Sequence, residues 1–137
     1  METVLVVDDE PSILALAADI LAAEGYTVLQ TGDPSRAIRL VKEQTVHLLL
    51  SDVVMPLLRG TELANRVQAE NASTKVLLMS GYSVAEVTAS GRPFIAKPFT
   101  PIQLRDKVRQ VLDAPSAFAR PGGAQSPFSR PPAPRTS

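Results

Sequence analysis

The chain has 137 residues, 45% of them hydrophobic, with no cysteine and 14 basic side chains against 14 acidic ones. This composition describes one soluble globular domain and excludes a disulfide framework, a thiol nucleophile and a zinc ribbon. The apolar runs at residues 4–7 and 48–50 fall far short of the ~20 residues that span a bilayer. No basic-then-apolar signal peptide opens the chain, so a cytoplasmic location without membrane association is expected.

In chain order, residues 4–7 (VLVV) read as a first strand. Ile13, Leu14, Ala17, Ile20 and Leu21 then form a helical stripe that Gly25 closes. Residues 26–29 make a second strand, and Asp33-Pro34 supplies an N-cap followed by proline at the first helical position, opening a helix through Ala37, Ile38 and Val41. A third strand at 46–50 precedes a helix that follows Gly60 and uses Leu63, Ala64 and Val67; Pro56 and Gly60 shape the turn before it. Strands at 76–79 and 94–96 come next, and Thr100-Pro101 opens a last helix with Leu104, Val108, Val111 and Leu112. Strands that are apolar throughout suit a parallel sheet covered on both faces. Strict alternation predicts a doubly wound α/β domain with right-handed crossovers.

Charge marks the end of that domain. All 14 acids and 11 of the basic residues lie within 1–113, a net −3, whereas the remainder carries Arg120, Arg130 and Arg135, a net +3. Six of the 12 prolines also follow Asp113. Residues 1–113 are therefore read as the domain and 114–137 as a disordered Pro/Arg-rich tail. The PxxP-like stretch at 130–135 reads as an unselected extension ahead of a ligand for an aromatic-lined groove.

In open α/β sheets the working residues sit just beyond the carboxyl ends of the strands. There the sequence offers Asp8, Asp9 and Glu10, then Ser51-Asp52, Ser80-Gly81 and Lys97-Pro98; the second strand offers only Gln30, Thr31 and Gly32. With a central first strand, three carboxylates converge and repel one another unless a cation joins them. Oxygen ligands without Cys or His favour a hard ion such as Mg²⁺. Carboxylate, hard cation, lysine and hydroxyl together make a site for phosphoryl transfer to a carboxylate. An acidic pair after a strand is ordinarily a solvated turn, and only its company with Asp52 and Lys97 changes that reading. The single histidine, His47, reads as an edge or packing residue.

The segments VLVVDDEPS (4–12), SDVVMPLLRG (51–60), VLLMSGYS (76–83) and FIAKPFTPIQL (94–104) resemble the receiver domain of two-component response regulators, over residues 1 to about 113. The MSGYS and KPFT forms look like receivers that stand alone or are attached to hybrid sensor kinases. The resemblance implies a flavodoxin-like five-stranded parallel sheet of order 2-1-3-4-5. It makes Asp52 the acceptor of a phosphoryl group from a phosphohistidine on a histidine kinase or histidine phosphotransfer protein. Asp9 and Asp52 would ligate Mg²⁺ directly, Asp8 largely through water, and Val54 through its backbone carbonyl. Lys97 would contact a phosphoryl oxygen, Ser80 and the Gly81 N–H would engage others, and Lys97-Pro98 would be cis. Phe94 takes the place of the switch aromatic, with plain core packing as its other reading.

Two departures stand out. Sixteen residues separate Ser80 from Lys97, fewer than usual in the family, so the helix between the fourth and fifth strands is expected to be short or missing, with only 84–89 able to form it. This puts the output face in question, including the usual dimer; a weak homodimer is allowed. The second is Val54, whose apolar side chain at the rim implies an altered aspartyl-phosphate lifetime.

Nothing after Asp113 reads as a helix-turn-helix or catalytic module, so direct nucleic-acid binding is not expected. The opening Met1 and the frayed end point to a complete stand-alone chain, a phosphoacceptor signalling domain rather than an enzyme acting on other substrates. It would work through protein contact. A carboxylate-nucleophile phosphohydrolase is the alternative of another class, although Asp8 is followed by Asp9-Glu10-Pro11 and no cap segment is present. A receiver-like scaffold that is never phosphorylated is the third reading, although it ordinarily lacks the acid pair, acceptor or lysine that this chain retains.

Overall fold

The computed structural model describes residues 2–81 and 88–115. Five strands, β1 (Thr3–Val7), β2 (Thr27–Thr31), β3 (Leu48–Asp52), β4 (Lys75–Ser80) and β5 (Phe94–Ala96), form one sheet. Its helices are α1 (Pro11–Ala23), α2 (Pro34–Glu43), α3 (Gly60–Glu70) and α4 (Pro101–Asp113). All pairings are parallel and the order is β2-β1-β3-β4-β5. The expected short helix between β4 and β5 falls mainly on residues 82–87, outside the described residues; residues 88–90 are helical. Residues 116–137, most of the expected tail, also lie outside them.

Strand period explains the two cores. On β1, Leu5 and Val7 point to one face and Val4 and Val6 to the other. The first pair packs with Leu49 and Leu78 beneath Ala37 and Val41 of α2 and Leu63, Ala64 and Val67 of α3. The second joins Leu48, Leu50, Leu77 and Met79 beneath Ala17 and Leu21 of α1 and Leu104, Val108 and Val111 of α4. All four β1 residues from Val4 to Val7 are inaccessible to solvent, which is why that run contains no polar residue. Each such burial stabilises the fold by roughly 1.5–3 kcal/mol before the entropy of ordering is set against it.

The helix starts are chemically specified. The Asp33 carboxylate accepts the Ser35 N–H at 2.9 Å, and Thr100 and Gln103 form a reciprocal capping box (3.1 and 2.9 Å). Gly25 adopts φ +95° behind α1, a conformation that favours glycine.

Strand ends differ from the sequence reading most at β3 and at the end of β2. β3 begins at Leu48, not residue 46, although the His47 backbone already bonds Thr3 and Lys75 (2.9 and 3.0 Å). The Thr74 hydroxyl donates to the Val46 carbonyl (2.7 Å), and the Thr3 N–H donates to His47 Nδ1 (2.9 Å). β3 instead runs on through Ser51 and Asp52, which pair with Leu78 and Met79. Hydrophobicity alone ended the strand too early, since these two polar residues are buried within the ladder. β2 likewise extends to Thr31, opposite Val7.

Candidate functional site

The parallel sheet delivers four strand ends to one edge. Asp8 and Asp9 leave β1, Asp52 ends β3, Ser80 ends β4, and Lys97 follows β5. Asp8 is inaccessible to solvent and Asp52 nearly so, whereas Asp9 is exposed. One carboxylate oxygen from each of the three lies within 4.8 Å of the others. The Lys97 ammonium bridges two of them, donating to Asp8 Oδ2 at 2.8 Å and lying 3.1 Å from Asp52 Oδ1. The other oxygen of Asp8 accepts the Glu10 N–H at 2.9 Å, so both Asp8 oxygens already hold a donor.

Burial raises the Asp52 carboxyl above its ordinary value; the charge of Asp8 adds to that rise, and Lys97 opposes it. For Lys97, burial works against the ammonium, but the Asp8 hydrogen bond and the charges of Asp52 and Asp8 outweigh it and hold its pKa above the usual value. Two buried acids share one lysine beside the exposed Asp9, and this deficit of positive charge suits a further cation.

Ser80 completes the edge. Its carbonyl accepts the Lys97 N–H at 2.9 Å, tying the ends of β4 and β5 together. Its hydroxyl oxygen is buried without a hydrogen-bond partner, a costly arrangement for a polar group. An acid cluster with all-oxygen donors fits a hard divalent ion, and the orphaned hydroxyl fits an incoming oxygen acceptor.

The other expected site residues are distributed around this centre. Gly81 is exposed directly after Ser80, and Lys97-Pro98 is a cis peptide. Val54 is 43% exposed two residues beyond the end of β3. Phe94 pairs with Leu78 in the ladder and is only partly buried against the core on the α2–α3 face. His47 lies at the opposite edge, as expected of a packing residue.

The exposed apolar residues Leu16, Leu57 and Ile102 lie outside the apolar stripes read from the sequence. Sequence reasoning gave Gly60 a conformational role. The structure gives it a spatial one, for a Cβ there would overlap the Asp52 carbonyl oxygen, and its N–H donates to the Val53 carbonyl (2.8 Å).

The arrangement combines a buried carboxylate with a lysine against it, an acid cluster that fits a divalent ion and a buried hydroxyl without a partner. The response regulator receiver domain family matches residues 4–109. The probable transcriptional regulatory protein TcrX of Mycobacterium tuberculosis is 30% identical over 128 residues, covering 90% of this chain and 55% of that protein. Sporulation initiation phosphotransferase F of Bacillus subtilis is 27% identical over 81% of this chain and 94% of its own length. Among solved structures, the receiver domain of the hybrid histidine kinase CckA superposes with TM-score 0.71 at 33% identity, covering 81% of this chain and 99% of that one. The chain thus spans about half the length of TcrX and nearly all of two receiver-sized relatives. No described helix is long and apolar enough to cross a membrane. The matched residues contain the whole acid cluster, the lysine and the hydroxyl, and the chain belongs to the response regulator receiver domain family of two-component signalling, a signalling domain rather than a metabolic enzyme.

Proposed function

We propose that Asp52 accepts a phosphoryl group from a phosphohistidine on a histidine kinase or histidine phosphotransfer protein. The observation that carries this reading is the Lys97 ammonium held between Asp8 and Asp52 at 2.8 and 3.1 Å. An Asp52 carboxylate oxygen attacks phosphorus as the donor's P–N bond breaks, and the imidazole nitrogen leaves with the bonding electrons. Lys97 neutralises the charge collecting on the phosphoryl oxygens. Mg²⁺, when bound, adds Lewis-acid neutralisation of the same oxygens. Asp9, Asp52 and the Val54 carbonyl would hold it directly; Asp8, whose oxygens already serve Lys97 and the Glu10 N–H, would act through water.

Ser80 then donates its unpartnered hydroxyl to the acyl phosphate, with the Gly81 N–H as a second donor. The new negative charge thereby draws on the β4 exit, and Phe94, on the adjacent strand, follows it as the switch aromatic. The domain is taken as residues 1–113, consistent with α4 ending at Asp113, and 114–137 as a tail outside it. The chain acts in the cytoplasm through protein contact, without direct nucleic-acid or membrane binding, and its downstream target is a protein. A weak homodimer is compatible with this role.

The test is incubation with acetyl phosphate and Mg²⁺, followed by intact-mass and peptide mapping. One phosphoryl adduct on Asp52, absent from Asp52→Asn and without Mg²⁺, is expected. Turnover of many phosphate esters without a lasting adduct would instead establish a phosphohydrolase. Mg²⁺ binding with no adduct from any donor would establish a scaffold.

A further inference from the structure

Gly60 has a negative or extended backbone, since Gly25 and Gly91 are the only positive-φ glycines among the described residues. Conformational freedom is therefore not what the position demands. What it demands is space. A Cβ built on Gly60 would overlap the Asp52 carbonyl oxygen and come within 2.9 Å of both the Asp52 carbonyl carbon and Val53 Cα. All three atoms are backbone, so no side chain can swing aside.

The same peptide is fixed from its other sides. The Val53 N–H donates to the Met79 carbonyl at 3.0 Å, and the Gly60 N–H to the Val53 carbonyl at 2.8 Å. The Ser51 hydroxyl donates to the Asp52 carbonyl at 3.0 Å. Helix α3 is no freer to retreat, because Leu63, Ala64 and Val67 anchor it in the core with no solvent exposure. A methyl group at Gly60 must displace either a buried helix or the backbone carrying Asp52.

A gentler version occurs at the other acidic turn. A Cβ on Gly32 would sit 3.3 Å from the Asp8 carbonyl oxygen and 3.9 Å from Asp9 Cα, in a turn tied to Asp8 by the Asp8 N–H to Thr31 carbonyl bond (3.3 Å). One glycine is pressed against each of the two backbones that supply the carboxylates.

We propose that Gly60, and to a lesser degree Gly32, are positioning residues: their bare Cα atoms set how closely Asp52 approaches Asp8 and Asp9, and hence the affinity of the acid pocket for a divalent cation. The effect on phosphoryl transfer rests on the reading of Asp52 as the acceptor; the effect on cation binding does not.

The experiment compares Gly60→Ala, Gly32→Ala and Leu63→Ala with the parent by calorimetric titration of Mg²⁺ alone, and then by the rate of adduct formation from acetyl phosphate. Leu63→Ala destabilises α3 without adding an atom against the Asp52 backbone and controls for general loss of stability. Measured well below each midpoint, Gly60→Ala is expected to weaken Mg²⁺ binding about tenfold and slow adduct formation about a hundredfold. Leu63→Ala should leave both within about twofold of the parent, because it moves no ligand. Gly32→Ala, which requires its neighbour to give by only a few tenths of an ångström, should fold and weaken Mg²⁺ binding about threefold. It decides the matter if Gly60→Ala does not fold. Parent-like Mg²⁺ affinity in Gly32→Ala or in folded Gly60→Ala, an equal loss in Leu63→Ala, or no Mg²⁺ binding by the parent would overturn the proposal. A parent that binds Mg²⁺ yet forms no Asp52 adduct would refute the acceptor reading alone.

Discussion

The two edges of the sheet treat polar groups in opposite ways. At the amino edge they are consumed by one another. Arg109 makes paired bonds to Glu2 (2.9 and 3.1 Å) and further bonds to Asp113 and the Tyr26 hydroxyl. His47 Nδ1 accepts from Thr3, and the Lys75 ammonium caps α4 by donating to the Leu112 and Ala114 carbonyls. At the carboxyl edge one ammonium serves two buried acids, and the Ser80 hydroxyl is unmatched. Groups that satisfy each other hold the domain together; groups short of partners are available to a ligand. Substitutions at the two edges should accordingly separate function from stability.

The largest effect is expected at the carboxyl edge. Lys97→Met removes the shared cation and should slow adduct formation on Asp52 by a hundredfold or more, by about the amount lost with one oxyanion donor. Rapid-quench labelling with acetyl phosphate measures it. Next in size is Val54→Asn: a polar group beside the acyl phosphate can orient water, so its hydrolysis rate should change several-fold, about 1 kcal/mol in barrier. Identical decay of labelled protein in parent and variant would remove Val54 from the account.

Stability should move in unusual directions at this edge. Ser80→Ala deletes a buried hydroxyl that has no partner and should leave the midpoint unchanged or raise it, by at most about 1 kcal/mol in urea titrations. The Asp52 pKa is raised in the fold, so its ionised form costs stability. That cost is full above the folded pKa and disappears as pH falls through it towards the ordinary value of 3.8. Without Mg²⁺, Asp52→Asn should therefore be more stable than the parent at pH 7 and lose that advantage in acid.

The smallest effect belongs to the amino edge, with the opposite sign. The Glu2 pKa is lowered by its Arg109 hydrogen bond, so the pair contributes stability that is present above the ordinary value of 4.5 and is lost as pH falls through the folded value. Arg109→Met should lower the midpoint slightly at pH 7, less so in high salt, and hardly at all in strong acid. Adduct formation should be unaffected.

Most of the fold could be read from the sequence because its parallel strands are buried on both faces, and the Asp33-Pro34 and Thr100-Pro101 caps state the helix starts. Boundaries failed where polar residues were buried, as at Ser51 and Asp52, or where apolar Val46 was held outside the ladder. Asp8, Asp9, Asp52, Ser80 and Lys97 could be located in advance because strand ends of a parallel sheet must share an edge. The roles of Gly32 and Gly60 could not, since a missing Cβ reveals its purpose only when the backbone that it would strike is in place.

The central claim is that a divalent ion and a phosphoryl group supply what the carboxyl edge lacks. Transfer of labelled phosphate from a phosphorylated histidine phosphotransfer domain, with Mg²⁺ or with EDTA, tests it most directly. Label confined to Asp52, dependent on Mg²⁺ and absent from Asp52→Asn, is the predicted result; label on another residue, or equal labelling in EDTA, would contradict it.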